Sequence, residues 1–133
     1  MSGTPYVLLV EDDRFLRRAC ETSLQQRGFV VKSAGDGEAG LQMAREAPPA
    51  LILLDLLMPK MSGIEMLREL RADHATAGIP VLILSNSSRE EDKRHAAELG
   101  AVGYYVKANL SLRALGDEVS RLMAEAAGTN ATP

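Results

Sequence analysis

The stretch Leu51-Ile52-Leu53-Leu54-Asp55-Leu56-Leu57-Met58-Pro59-Lys60-Met61-Ser62-Gly63 decides how the chain folds. Its first four residues are apolar without polar alternation, the pattern of a short strand buried on both faces of a sheet. Pro59 and Gly63 mark a loop, and Ser62 with Glu65 has the spacing of a capping box that opens a helix. Met61 and Met66 stand where a hydrophobic staple would close that helix start. The segment reads as strand, loop, helix, with the carboxylate of Asp55 at the carboxyl tip of the strand. A charge there is poorly placed for packing and well placed for chemistry, because open α/β sheets gather function at the carboxyl ends of their strands.

The same unit recurs on either side. Candidate strands run from Tyr6 to Val10, Phe29 to Ser33, Leu51 to Leu54, Val81 to Leu84 and Gly103 to Val106. Between them, Leu16, Ala19, Cys20 and Leu24 form an apolar stripe that Gly28 ends as a C-cap. Asp36 is a candidate N-cap for the second helix, which stops before Pro48-Pro49. Ser88 and Glu91 repeat the capping-box spacing at a fourth helix ending near Gly100. Leu112, Leu115, Val119, Leu122 and Met123 line one face of a fifth. Strict alternation with short connections predicts an α/β fold, a doubly wound five-stranded parallel sheet covered by five helices. One domain is expected over residues 1–127, followed by a small, polar, frayed tail over 128–133.

The chain has 133 residues and a formal net charge of −3, which suits one domain and argues against a phosphate-tracking nucleic-acid surface. The single cysteine, Cys20, has no disulfide or metal partner in the sequence and is expected to be a small buried hydrophobe. With no signal peptide and no apolar run near the ~18 residues of a membrane span, a cytoplasmic location is expected. His74 and His95 lack partners at metal spacing and read as solvated, as do Arg17-Arg18 and the charges from Arg89 to Arg94.

The strand ends carry a specific set of groups. Glu11, Asp12 and Asp13 follow strand one, Asp55 ends strand three, Ser85 strand four and Lys107 strand five. Two unit charges ~4 Å apart repel by about 4 kcal/mol at an effective dielectric of 20, so packed carboxylates need a cation or a proton. Several hard oxygen ligands suit Mg²⁺, and a divalent cation with a lysine can hold an incoming phosphoryl group. Asp55 is then a candidate nucleophile, attacking phosphorus to form an acyl phosphate.

Val10-Glu11-Asp12-Asp13, Asp55 with Met58-Pro59 and Ser62-Gly63, Ser85, and Tyr104-Tyr105-Val106-Lys107 together resemble the motif set of two-component response-regulator receiver domains. The resemblance covers residues 5 to 126 and implies a flavodoxin-like sheet of order 2-1-3-4-5. It implies Asp55 as phosphoacceptor and Asp12 as a direct Mg²⁺ ligand. Glu11 would act on the metal through water, with the backbone carbonyl of Leu57 as a further ligand. Ser85 and Tyr104 fall at the family's switch positions, Lys107 at the lysine that pairs with phosphoryl oxygens, and Asp13 at the start of the first helix. Two departures stand beside the site. Ala108 replaces the usual proline after the lysine, which predicts a trans peptide bond there, and Asn86 replaces a usually small residue.

The function so implied is that of a single-domain regulator that catalyses only its own phosphorylation and dephosphorylation. Its phosphodonor would be a sensor histidine kinase, and its output a downstream protein partner or phosphotransferase, with no direct nucleic-acid or membrane contact. A monomer or weak homodimer is expected. One rival is a pseudo-receiver adaptor that binds proteins without phosphorylation. Another is an aspartyl phosphatase, disfavoured because Leu57 stands where such enzymes carry a second aspartate.

Overall fold

The computed structural model describes the backbone of residues 4–131 and the side chains of residues 4–127. The elements are β1 Val7–Val10, α1 Arg14–Gln26, β2 Val31–Ala34, α2 Gly37–Glu46, β3 Leu51–Leu54, α3 Gly63–Ala72, β4 Val81–Ser85, α4 Glu90–Glu98, β5 Gly103–Val106 and α5 Leu112–Ala131. A 3₁₀ turn, Lys107–Asn109, joins β5 to α5. All strands pair in parallel, in the order β2-β1-β3-β4-β5. Chain order reverses between β1 and β3, so their carboxyl tips meet at the crevice where such sheets bind ligands.

Strand periodicity sorts the core into two layers. Leu8, Val10, Ile52, Leu54, Val81 and Ile83 pack on the face covered by α2, α3 and α4, against Leu41, Met66, Leu67, Leu70 and Ala96. Val7, Leu9, Leu51, Leu53, Leu82 and Leu84 point the other way, onto Cys20 and Leu24 of α1 and Leu115, Val119 and Leu122 of α5. Cys20 is buried as expected, and that burial pushes its thiol up to about 11.

Several boundaries differ from expectation for local reasons. β2 begins at Val31 because Phe29 belongs to the end of α1. Gly28 has φ +95°, its N–H donates to Gln25 O, and Phe29 N–H donates to Leu24 O, which together make a Schellman cap. β2 and β5 lie at the sheet edges and are only partly buried, unlike the three central strands. Leu112 of the expected α5 stripe is exposed. α5 continues through Ala131, into the segment expected to fray, because Ala124, Ala126 and Ala127 favour helix across Gly128. Thr132 and Pro133 lie outside the described residues. Among the described residues, no helix is long and apolar enough to cross a membrane.

Candidate functional site

β3 delivers Asp55 to the crevice almost fully buried. The loop after it is pinned by close backbone packing. Gly63 opens α3 so tightly against the strand tip that an added Cβ would lie 2.2 Å from the Asp55 carbonyl oxygen, and its N–H donates to Leu56 O at 2.9 Å. The Ser62–Glu65 capping box is present in both directions, and Leu57 N–H donates to Asp55 Oδ1 at 3.2 Å.

β1 delivers the other acids. Glu11 is buried and Asp12 exposed, and together with Asp55 they bring carboxylate oxygens within 4.8 Å of one another. Asp13 caps α1 as expected, accepting from Phe15 N and Leu16 N. Arg17 does not behave as the solvated residue expected. One turn into α1, its Nη1 reaches back to donate to Glu11 O at 2.8 Å, which fixes the β1 tip.

Lys107 enters from the end of β5. Its Nζ donates to Asp55 Oδ2 at 3.0 Å and to Glu11 Oε2 at 3.0 Å. Glu11 Oε1 is within ion-pair reach at 2.8 Å, yet this buried oxygen has no hydrogen bond. Burial pushes the Glu11 carboxyl up to about 7, against the lowering effect of Lys107 and the Asp13 N–H. Burial likewise raises Asp55, although Lys107 and the Leu57 N–H oppose it. Burial alone would lower Lys107, but its hydrogen bonds to Glu11 and Asp55 prevail and raise it. One ammonium therefore does not relieve the acids, and the site has a deficit of positive charge. A buried carboxylate oxygen without a hydrogen bond, within a group of three converging acids, fits a hard divalent cation.

Ser85 and Tyr104 meet at a third residue that the sequence did not single out. Ser85, fully buried, accepts from Ser87 N–H at 3.1 Å, and Tyr104 Oη donates to Ser87 O at 2.8 Å. The Ser87 hydroxyl also bonds Asp92 and accepts from Arg89 N–H. This overturns the expected capping box at Ser88 and Glu91. α4 starts at Glu90, and its N-cap is Arg89, whose guanidinium has no acceptor with which to cap the helix and donates to Glu91 instead, while its N–H is held by Ser87. The only advance signal for Ser87 was a serine two residues beyond Ser85, the spacing of a serine turn. No peptide bond among the described residues is cis, including Lys107–Ala108. Asn86 is exposed beside Ser85, and His74 and His95 are exposed away from the acids.

Comparison with known proteins decides the family, because the response regulator receiver domain description matches residues 7–119. The chain belongs to that family. It is 37% identical over 116 residues to a gliding motility regulatory protein of Myxococcus xanthus, covering 87% of this chain and 15% of that one. It is 39% identical over 103 residues to the transcriptional regulatory protein AfsQ1 of Streptomyces coelicolor, covering 77% of this chain and 44% of that one. The chain thus spans less than half the length of these relatives. Among solved structures, the Vibrio cholerae chemotaxis protein CheY4 superposes with a TM-score of 0.82 at 29% identity, over 90% of this receiver and 99% of that chain. A receiver from Methanospirillum hungatei gives 0.87 at 21% identity, over 96% and 99%, a likeness of fold alone. Receiver domains serve two-component phosphoacceptor signalling and bind Mg²⁺ at an acidic pocket, and Glu11, Asp12 and Asp55 form such a group here.

Proposed function

We propose that Asp55 accepts a phosphoryl group from a phosphohistidine on a sensor kinase. The observation that carries this reading is the buried Asp55 carboxylate held by Lys107 beside two further acids at the sheet's switch point. In the transfer, an Asp55 oxygen bonds to phosphorus while the P–N bond to imidazole breaks and its electron pair stays on nitrogen. In the later hydrolysis, water attacks phosphorus and the Asp55 carboxylate leaves, releasing inorganic phosphate. The transition state is loose, so the protein mainly positions groups and balances charge. Asp12, Asp55 and the Leu57 carbonyl would hold Mg²⁺, with Glu11 acting through water, and the ion would neutralise charge on the phosphoryl oxygens.

Lys107, now on Asp55 Oδ2, turns to a phosphoryl oxygen, and the Ser85 hydroxyl donates to another. Hydrogen bonds to charged groups contribute about 1.5–3 kcal/mol each, so two approach the ~5.5 kcal/mol that moves a population from 1:99 to 99:1. Ser85 and Tyr104 then change the face formed by α4, β5 and α5, and with it the affinity for a downstream protein or phosphotransferase. The protein works in the cytoplasm as a monomer or weak homodimer.

Incubation with a small-molecule phosphodonor and Mg²⁺ tests the chemistry. A hydroxylamine-sensitive label on the wild type, absent from Asp55→Asn, is expected. No label on the wild type under any donor would favour a protein-binding adaptor that never takes phosphate.

A further inference from the structure

Ser87 gathers four hydrogen bonds that lead in two directions. Its backbone belongs to the switch pair, with N–H on Ser85 Oγ and C=O under Tyr104 Oη. Its side chain belongs to α4, with the hydroxyl bonded to Asp92 and accepting from Arg89 N–H. No side-chain cap replaces that tie, since the N-cap Arg89 makes only an exposed bond to Glu91 within the helix start and only Ala96 of α4 is buried.

The far end of α4 is held in a different way. Arg71 of α3 donates through Nε to Leu99 O at 2.8 Å and through Nη2 to Gly100 O at 3.3 Å. It also donates through Nη1 to Ile79 O at 2.8 Å and Ala77 O at 3.0 Å, so one guanidinium ties the end of α4 to the loop before β4. Leu99 and Ala101 pack against the core beside it.

We propose that the Ser87 side chain is a positioning relay which couples the Ser85–Tyr104 pair to the N-terminal end of α4, while Arg71 fixes the other end as a pivot. This rests on the phosphoacceptor reading of Asp55. A phosphoryl group draws the Ser85 hydroxyl toward itself and off the Ser87 N–H. The Ser87 peptide then shifts with Tyr104 still bonded to its carbonyl. Because the Ser87 hydroxyl holds Asp92 and Arg89, the first turn of α4 is displaced, and the chain beyond Leu99 is not. Removing only the hydroxyl leaves both backbone bonds intact and cuts the link to the helix.

The test uses the full chain with Mg²⁺ and beryllium fluoride as the acyl-phosphate mimic. Fluorine NMR reads bound beryllofluoride and a fluorotyrosine at position 104, and amide hydrogen exchange reads α4. In the wild type, the Tyr104 signal should shift and exchange at Asp92 to Arg94 should change about tenfold, with Leu99 to Ala101 unchanged. Ser87→Ala should bind the mimic and keep the Tyr104 shift but lose the mimic-dependent change at Asp92 to Arg94. Ser87→Thr should restore it. If Ser87→Ala gives the full wild-type response, or loses the Tyr104 shift with the mimic bound, the relay is wrong. If the α4 change is as large at Leu99 to Ala101 as at Asp92, the pivot is wrong. Failure of the wild type to bind the mimic would instead sink the phosphoacceptor reading.

Discussion

The helices that follow β3 and β4 start from neighbouring strand tips and are built in opposite ways. α3 begins with a complete capping box, wedges Gly63 onto the Asp55 backbone, and buries Met66, Leu67 and Leu70. α4 begins without a side-chain cap and buries Ala96 alone. One tip therefore carries a rigid frame for the Asp55 carboxylate. The other carries a helix with little apolar hold, tied at its start through Ser87 and at its end through Arg71. A phosphoacceptor signalling domain needs both: chemistry requires fixed geometry, and a response requires an element whose position is set by a few polar bonds.

The hardest test of the rigid side is Gly63→Ala. A methyl group 2.2 Å from the Asp55 carbonyl oxygen and 2.6 Å from the Leu56 Cα meets backbone, which cannot rotate away. Overpacking of this kind should cost about 3–4 kcal/mol in urea denaturation. It should also reduce phosphoryl labelling of the folded fraction, although the Asp55 side chain is untouched. Unchanged stability would mean that α3 is not wedged on the strand tip.

The rigid side also stores unrelieved charge, with a sign that can be worked out. Glu11 sits at about 7 in the folded chain against an ordinary 4.5, because burial outweighs Lys107. The folded state thus holds the proton more tightly than the unfolded chain. Stability from protonating Glu11 is fully present below pH ~4.5 and is lost as pH rises through ~7. At about 1.36 kcal/mol per pKa unit, the shift amounts to about 3 kcal/mol. Without metal, Glu11→Gln should be more stable than the wild type by about that much at pH 8, and the gap should close by pH 4.5. Mg²⁺ should narrow the gap at pH 8, with an affinity that falls as Glu11 takes its proton. A gap independent of pH would refute the assignment.

On the loosely held side, Arg71→Met keeps an apolar stem but strands four carbonyls, those of Ala77, Ile79, Leu99 and Gly100. Burial lowers this guanidinium from its ordinary value, and its hydrogen bonds all go to backbone carbonyls. The expected loss is about 2–3 kcal/mol, with faster amide exchange from Leu99 to Ala101. Exchange confined to the start of α4 would contradict the anchoring role.

What could be read in advance follows the same division. Strands, their two-sided burial at the sheet centre, and the α3 start were legible because each rests on neighbouring residues: an apolar run, or a serine and a glutamate three apart. Asp55, Glu11, Asp12 and Lys107 were legible as a group because the topology sends every strand tip to one edge. The partial burial of the edge strands β2 and β5 left no such mark, since apolar runs do not reveal which strands have only one neighbour. Arg71 and Arg17 were invisible because their partners are backbone carbonyls, and a carbonyl leaves no mark in the sequence. At α4 the local pattern misled, because the Ser87 hydroxyl holds the Arg89 N–H and the helix starts one residue later than a cap at Ser88 requires, with Arg89 as its N-cap.

The mismatch at Ser88 permits the smallest and most direct comparison of the two helices. Ser62 and Ser88 both stand three residues before a glutamate, and the sequence treats them alike. Ser62 Oγ accepts from Glu65 N–H at 3.2 Å, and Glu65 Oε1 accepts from Ser62 N–H at 3.2 Å. Ser88 is exposed and caps nothing. Ser62→Ala should therefore cost about 1 kcal/mol, the usual loss of an N-cap side chain, whereas Ser88→Ala should fall within about 0.5 kcal/mol of the wild type. Equal losses at the two positions, measured by paired urea denaturation, would place a working capping box on α4. The helix start would then be held locally and would not depend on Ser87.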